Sequence, residues 1–133
     1  MNLDKLLKKI EQNKQTENEV KTYPLTIGDE TYEIRTLTRA LKREFLYANG
    51  VDTTKMTIGD IIKKSIPYIY KSIVGIKDLA ERAKQEKLIV KYYDIIEYLF
   101  EPDEIMTIVG FIYDINGMGE DQMEAGVEEI KKS

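Results

Sequence analysis

The sequence predicts an α+β protein that is predominantly helical, with an N-terminal β-hairpin packed on a bundle of about five helices. A short run of alternating apolar residues around Gly28 predicts the hairpin. Apolar residues at steps of three and four through most of the remaining chain predict the helices. The 133 residues suffice for one modest core. We expect an N-terminal amphipathic helix and linker over 1–19, a main domain over 20–118 and an acidic flexible tail over 119–133.

The first predicted element is a short amphipathic helix over residues 2–12. Four apolar residues share one face: Leu3, Leu6, Leu7 and Ile10. A helix of this length is marginal by itself, so it needs a surface on its own domain, on a neighbouring subunit or on a partner. We expect its three leucines to mediate self-association, and the lack of aromatic anchors disfavours a membrane surface. Residues 12–19 contain no apolar side chain and predict a linker.

The hairpin is predicted over residues 23–37. Apolar residues alternate on both sides of a turn at Gly28: Tyr23, Leu25 and Ile27 before it, Tyr32 and Ile34 after it. Pro24 is expected on an outer edge, where a missing donor does no harm. Because a two-stranded hairpin is barely stable alone, we expect it to lie on helices or to meet strands of another copy.

Two helices are predicted after the hairpin. Thr38 is a candidate N-cap for residues 39–48, with Leu41, Phe45 and Ala48 on the buried side. Thr57 and Asp60 resemble a capping box for the second helix, whose apolar register runs from 58 to 74. Pro67 lies inside that register and predicts a kink or two abutting helices near residues 65–68.

The last predicted helices form a hairpin over residues 88–116, preceded by a solvated helix that Asp78 would cap. Each helix of this hairpin has one apolar face: Leu88, Tyr92, Ile95, Ile96 and Leu99 on the first, and Ile105, Ile108, Val109, Ile112 and Ile115 on the second. Pro102 suits a first helical position, and Gly117 is a good stop. Beyond it, a helical face of Met123, Val127 and Ile130 is interrupted by glycines, which predicts a frayed tail.

Composition excludes several chemistries. The chain has neither cysteine nor histidine, so thiol nucleophiles, zinc thiolate sites and imidazole bases are absent, and we expect no cofactor. Its net charge of -4 disfavours nucleic acid as a partner. The first ten residues are too charged for a secretory signal, and no apolar run approaches a membrane span. We expect a soluble, cytoplasmic protein that does not bind membranes.

Two other function classes were weighed against a binding role. A small enzyme would have to use carboxylates or tyrosine, and Asp103 and Glu104 are already explained as first-turn charges of a helix. A small winged DNA-binding regulator is the alternative reading, since four basic residues cluster near the hairpin: Arg35, Arg39, Lys42 and Arg43. Apolar faces beyond the needs of one core instead favour assembly with other apolar chains.

Two stretches carry a family resemblance: residues 23–45, YPLTIGDETYEIRTLTRALKREF, and residues 97–118, EYLFEPDEIMTIVGFIYDINGM. With the amphipathic helices between them, they resemble the tail assembly chaperones of long-tailed bacteriophages. The similarity is closest to the XkdN-like group of defective prophages and phage-tail-like bacteriocins of Gram-positive bacteria. It covers residues 20–118 and includes neither the N-terminal helix nor the acidic tail.

The resemblance implies a non-enzymatic chaperone that binds and solubilises the tape measure protein during tail assembly. We expect the partner contacts at six aromatic residues: Tyr68, Tyr70, Tyr92, Tyr93, Phe111 and Tyr113. The family also implies a homo-oligomer and a longer, frameshifted product that recruits the tail tube protein. Lys131-Lys132 is compatible with a slippery adenine run, a hypothesis that a nucleotide sequence without such a run would contradict.

Overall fold

The computed structural model describes residues 1–49 and 57–117, and it confirms a predominantly helical α+β fold with an N-terminal hairpin. The elements are α1 (Leu3–Thr16), β1 (Thr22–Ile27), β2 (Glu30–Arg35), α2 (Arg39–Asn49), α3 (Ile58–Ser72), α4 (Ile76–Gln85), α5 (Asp94–Leu99) and α6 (Pro102–Ile115). None of the helices within these ranges is long and apolar enough to cross a membrane. The predictions for the side chain of Ala48, the 51–56 loop and the tail over 119–133 lie outside the described residues.

The predicted hairpin is confirmed, and its register explains its edge. β1 and β2 pair antiparallel around a two-residue turn, where the positive φ of Gly28 suits the first central position of a type II′ turn. The carbonyl of Lys21 accepts the N–H of Thr36 at 2.7 Å, so these two residues form a hydrogen-bonded pair. Hydrogen-bonded and non-bonded pairs alternate along the two strands, which puts Pro24 in a non-bonded pair. The Pro24 nitrogen, which carries no hydrogen, therefore faces the free edge of β1, as predicted from the sequence.

The other edge of the hairpin is partly covered within the same chain. Ile34 of β2 is fully buried and forms an isolated bridge with Ile73, just after α3. The N–H of Val74 donates to the carbonyl of Glu33 at 2.9 Å. The prediction that Ile73 and Val74 continue the helix is therefore wrong, because these two residues leave it to pair with β2.

The core is built around α3, which contacts α2, α5 and α6. The predicted capping box is confirmed, since the N–H of Asp60 donates to Thr57 Oγ1 and the N–H of Thr57 donates to an Asp60 carboxylate oxygen. Pro67 lies inside one continuous helix, and the prediction of two abutting helices is wrong. Lys63, four residues before Pro67, is exposed, so water can satisfy the carbonyl that loses its intrahelical partner.

The start of α4 corrects another prediction. The helix begins at Ile76, with Gly75 as N-cap at φ 83°, so Asp78 is a first-turn residue and not the cap. Ile76 is buried and Leu79 is exposed, which places the buried face of α4 on the isoleucine and on Ala80 and Ala83. Burial of Ile76 accounts for the earlier start, because it draws the chain into the core directly after the bridge to β2.

The predicted helix over Leu88 to Leu99 exists only from Asp94. α4 ends in a Schellman arrangement, with Lys87 at φ 61° and the N–H of Leu88 bonded to the carbonyl of Ala83 at 2.9 Å. The chain then continues without helical structure. Leu88 and Tyr92 are exposed rather than aligned with Ile95, so the first apolar face of the predicted hairpin is wrong in its N-terminal half.

The second half of that hairpin is confirmed. Pro102 is the first residue of α6, and Gly117 lies just beyond the end of the helix with a φ of 71°. The face predicted for α6 is buried at Ile105, Ile108, Val109 and Ile112, whereas Ile115 is half-buried. Near its end, the buried Asn116 accepts the N–H of Leu37 at 2.8 Å, which joins α6 to the connection between β2 and α2.

α1 lies outside this core. It extends four residues beyond the predicted end, so the linker is shorter than predicted, and no α1 residue is buried. Asn2 caps it by accepting the N–H of Lys5. Between α1 and the hairpin, the carbonyl of Glu17 accepts the N–H of Arg39 at 3.0 Å, which anchors the connection to the start of α2.

Candidate functional site

The segment from the end of α4 through most of α5 exposes five large apolar side chains. We call it the 88–98 surface and define it by Leu88, Val90, Tyr92, Tyr93 and Tyr98. Val90 and Tyr98 are 80% and 78% exposed, respectively. Within the same segment, Ile89, Ile95 and Ile96 are buried. The segment is therefore fixed to the core by its isoleucines while its other apolar side chains face solvent.

Local chemistry explains why this segment leaves the helical path. The Schellman ending of α4 directs Ile89 inward, and its neighbours Leu88 and Val90 consequently face outward. At the start of α5, an Asp94 carboxylate oxygen accepts the N–H of Lys91 at 2.9 Å. Leu88 and Val90 thus lie on a short segment that a hydrogen bond holds at each end.

Two of the six predicted partner-contact residues belong to this surface. Tyr93 packs edge-to-face on Tyr70, with ring centroids 4.9 Å apart. The Tyr92 ring lies under the ammonium of Lys84, whose Nζ is 4.3 Å from its centroid. Both tyrosines are partly exposed, so each ring is oriented by one neighbour and still offers area to a partner.

Tyr70 differs from the other predicted contact residues because only 9% of it is exposed. Burial raises the pKa of its phenol, and the nearby Tyr92, Tyr93 and Glu81 add smaller contributions in the same direction. Its ring therefore supports Tyr93 and leaves a partner little area to contact.

The remaining three predicted contact residues surround the core at α3 and α6. Phe45 is fully buried, and its ring centroid lies 5.1 Å from that of Tyr68 and 4.8 Å from that of Tyr113. Both tyrosines are half-buried, as is Phe111. Burial raises the pKa of Tyr68, with a smaller contribution from Glu44. The structure thus places Tyr92 and Tyr93 on the 88–98 surface, buries Tyr70 next to Tyr93 and leaves the other three half-buried on α3 and α6. The partner roles of all six stay predictions.

The residues predicted for self-association form the apolar row of α1. We use this name for Leu3, Leu6, Leu7 and Ile10, which are between 39% and 62% exposed. The 14-residue helix holds them on one face. Their role in self-association stays a prediction, and the structure places them where a second molecule can reach them.

The two apolar surfaces differ in charge. α1 carries four lysines and two carboxylates. Residues 88–104 carry five carboxylates and one lysine. The acidic residues are exposed or half-buried, whereas the charge in direct contact with the 88–98 surface is the Lys84 ammonium over the Tyr92 ring.

Glu104, one of the two carboxylates considered for catalysis, has a structural partner. Glu104 accepts the N–H of Glu101 at 2.9 Å, as expected for a first-turn residue of α6. Hydrogen bonds from Thr57 lower the pKa of Asp60, another capping residue. Across residues 1–49 and 57–117, no three potential metal ligands converge. A shallow, open concavity on the outer side of α4 is lined by Asp78, Glu81, Arg82 and Gln85.

The basic residues behind the DNA-binding alternative do not form one uniformly exposed group. Arg39 and Arg43 are exposed, whereas Arg35 and Lys42 are half-buried. The hairpin next to them is attached to the core through Ile34. DNA binding stays an untested alternative.

Sequence reasoning missed Val90 and Tyr98, the two most exposed members of the 88–98 surface, and assigned Leu88 to the core. A helical period was extended across residues 88–93, which hid the alternation of exposed and buried side chains from 88 to 90. The available signal was Lys87-Leu88-Ile89-Val90, a β-branched run after a charged stretch, which favours an extended segment over a helix.

Comparison of the chain with protein-family models, with curated proteins and with solved structures found no match in any of the three. Family membership is consequently not shown, and the resemblance to tail assembly chaperones enters only as a proposal.

Proposed function

We propose that the protein is a non-enzymatic tail assembly chaperone that binds and solubilises the tape measure protein while a phage or bacteriocin tail is assembled. The observation that carries the proposal is the 88–98 surface, where five large apolar side chains face solvent on a segment anchored to the core. Several large apolar side chains exposed on one short segment of a folded domain are typical of sites that bind other chains.

The composition of this surface suits a client that is helical and rich in apolar residues. Tyr92, Tyr93 and Tyr98 offer broad contact area with polar tips, which tolerate water when no client is bound. The surrounding carboxylates keep the free surface soluble. An amphipathic client helix would lay its apolar face on the tyrosines and Val90, as in other helix-binding surfaces.

Binding of this kind prevents aggregation by mass action. A chaperone that binds the unassembled client lowers the concentration of free apolar chain, and subunit assembly later displaces it. No step requires a catalytic group. The resemblance adds that the tail tube protein would be recruited by a longer, frameshifted form.

Co-expression with a fragment of the cognate tape measure protein tests the proposal. We expect the full chain to raise the soluble yield of that fragment and to copurify with it. The Tyr92→Ser/Tyr93→Ser variant should lose most of this effect, because both side chains are exposed and contribute to the proposed contact area.

Tyr47→Ser is the matched control, since Tyr47 is 76% exposed on α2, far along the sequence from the 88–98 surface. It should retain the wild-type effect, and circular dichroism should show that all variants are folded. No gain in soluble fragment with the wild-type chain would refute the proposed function. Equal gains with all variants would refute the assignment of the surface.

A further inference from the structure

The buried amide at the end of α6 is followed directly by glycine, and Asn-Gly is the dipeptide in which asparagine deamidates most readily. The Gly117 nitrogen attacks Cγ of Asn116, because glycine has no side chain to hinder the approach. The N–Cγ bond forms and the Cγ–Nδ2 bond breaks, and the amide group leaves as ammonia with the proton that the Gly117 nitrogen gives up. Water then opens the five-membered imide at either carbonyl and leaves aspartate or isoaspartate at position 116.

The folded structure engages both reacting groups with other partners. Asn116 is 6% exposed, its Oδ1 accepts the N–H of Leu37 at 2.8 Å, and its Nδ2 donates to the carbonyl of Ile112 at 2.7 Å. The Gly117 N–H, which supplies the attacking nitrogen, donates to the carbonyl of Asp114 at 3.2 Å. The amide is therefore held in place with little access to water, and the nucleophile is held away from it.

The backbone of Asn116 also opposes ring closure. The five-membered imide requires the Gly117 nitrogen to lie close to the plane of Cβ, Cα and C of Asn116, which occurs only at strongly negative ψ. Asn116 has φ -95° and ψ 7°, so the nitrogen lies well out of that plane. Rotation about the Cα–C bond is therefore needed before reaction, and this rotation breaks the hydrogen bond that Gly117 donates to the end of α6.

We infer that Asn116 is a deamidation site that the fold keeps closed, and that it reacts when the C-terminal end of α6 opens. Helix ends open at a lower free energy than the whole fold, so the reaction proceeds from the native state through this local opening. The modified chain cannot restore the original contacts by refolding. Isoaspartate lengthens the backbone by one carbon, and aspartate places a carboxylate against the carbonyl of Ile112.

The consequence is a chemical change that accumulates with the time that the end of α6 spends open. Because the Asn116 side chain joins α6 to the connection between β2 and α2 through Leu37, each modification weakens the attachment of two distant parts of the chain. This property does not depend on the proposed chaperone function.

The first experiment compares the folded and the unfolded full chain. Both are incubated at mildly alkaline pH, where the peptide nitrogen loses its proton more readily, and deamidation is followed by mass spectrometry after proteolysis in acid. The second Asn-Gly dipeptide, at residues 49–50, is the chemical reference in urea. In native buffer Asn116 should react at least about 50-fold more slowly than in urea. A smaller reduction would overturn the inference that the fold keeps the site closed.

Ile115→Gly tests whether the end of α6 controls the reaction. Ile115 is a half-buried residue in the last turn of α6, and glycine there favours fraying. Ile62→Gly is the matched control, because Ile62 is a half-buried isoleucine of α3. The quantity compared is the native rate at Asn116 divided by the rate in urea, so that any direct chemical effect of the substitution cancels.

We expect Ile115→Gly to raise this ratio at least about fivefold and Ile62→Gly to raise it less than about twofold. Circular dichroism should show that both variants are folded. An increase with Ile115→Gly no larger than that with Ile62→Gly would indicate reaction through unfolding of the whole chain and would overturn the local opening.

The modified chain provides an independent measurement that needs no variant. Deamidation adds one negative charge, so ion exchange separates the products, and peptide masses identify chains modified only at Asn116. We expect these chains to unfold at a lower urea concentration than the unmodified chain, because the contact with Leu37 is weakened. An unchanged midpoint would overturn this part of the inference. No tape measure fragment is used, so failure here leaves the proposed chaperone function untouched.

Discussion

Replacing Asn116 by alanine tests whether one buried amide holds the end of α6 against the β2–α2 connection. The side-chain Oδ1 accepts the N–H of Leu37 at 2.8 Å, and Nδ2 donates to the carbonyl of Ile112 at 2.7 Å. Alanine removes both bonds. The Ile112 carbonyl still accepts the backbone N–H of residue 116 at 3.2 Å, so the main loss is the acceptor for the Leu37 N–H.

A buried donor without a partner costs about 1–3 kcal/mol, and we expect the free energy of unfolding to fall by about 2 kcal/mol. For a chain of this size, a loss of that magnitude lowers Tm by about 6–10 °C. Urea denaturation followed by circular dichroism measures it, with an unchanged slope indicating that only stability has changed. Asn13→Ala on α1 is the control, and we expect it to change stability by less than about 0.5 kcal/mol.

The Asn116→Asp variant adds a pH dependence with a defined sign. One carboxylate oxygen can still accept from Leu37, but the other faces the Ile112 carbonyl at the negative end of the α6 dipole. Burial, the facing carbonyl and the helix dipole raise the pKa of the introduced carboxyl in the folded state above its unfolded value of about 3.9, and together they outweigh the single hydrogen bond from Leu37, which lowers it. The folded state then binds the proton more tightly, so the deficit relative to wild type should grow as pH rises above that value and shrink as pH falls toward it.

A loss below about 0.5 kcal/mol in Asn116→Ala would refute the reasoning, because it would mean that water or a relaxed backbone satisfies Leu37. A deficit in Asn116→Asp that is the same at pH 4 and pH 7 would refute the electrostatic part. In that case the loss would come from packing and not from the carboxylate facing a carbonyl.

Three further predictions concern the core, a helix terminus and a buried phenol. Phe45→Ala should lower the free energy of unfolding by about 3–5 kcal/mol in urea, because it leaves a cavity between two tyrosine rings, and a loss no larger than that of Tyr47→Ala would contradict this. Lys87→Gly should raise stability by about 1 kcal/mol, since Lys87 occupies a left-handed conformation, and any destabilisation would argue against that geometry. The raised pKa of Tyr70 contributes stability that is present below its unfolded pKa and is lost as pH rises through the folded pKa, so Tyr70→Phe should lose less stability than wild type in alkaline urea titrations. Parallel loss in both proteins would contradict the assignment.

Only part of the site could be predicted from the sequence, because caps and turns depend on neighbouring residues whereas burial depends on contacts between distant elements. Local signals are encoded by neighbouring residues. The short hairpin turn at Gly28, the capping box of Thr57 and Asp60, and the proline start of α6 all depend on contacts within four residues. These features were predicted correctly, because no distant part of the chain can reverse them cheaply.

Which apolar side chains are covered depends on distant packing, and here the sequence was ambiguous. An exposed Val90 and a buried Ile89 look alike in a hydrophobic pattern, and which one faces the core depends on where α4 ends and on which side chain the core then covers. The sequence by itself therefore determined the fold class, the positions of most helix ends and the absence of histidine and cysteine chemistry. Tertiary structure alone decided which isoleucines of α3, α5 and α6 are buried in the core, and that the apolar side chains of α1 and of the 88–98 surface stay exposed. The physical reason is that burial is a property of contacts between elements far apart in the chain, whereas caps and turns are set by adjacent residues.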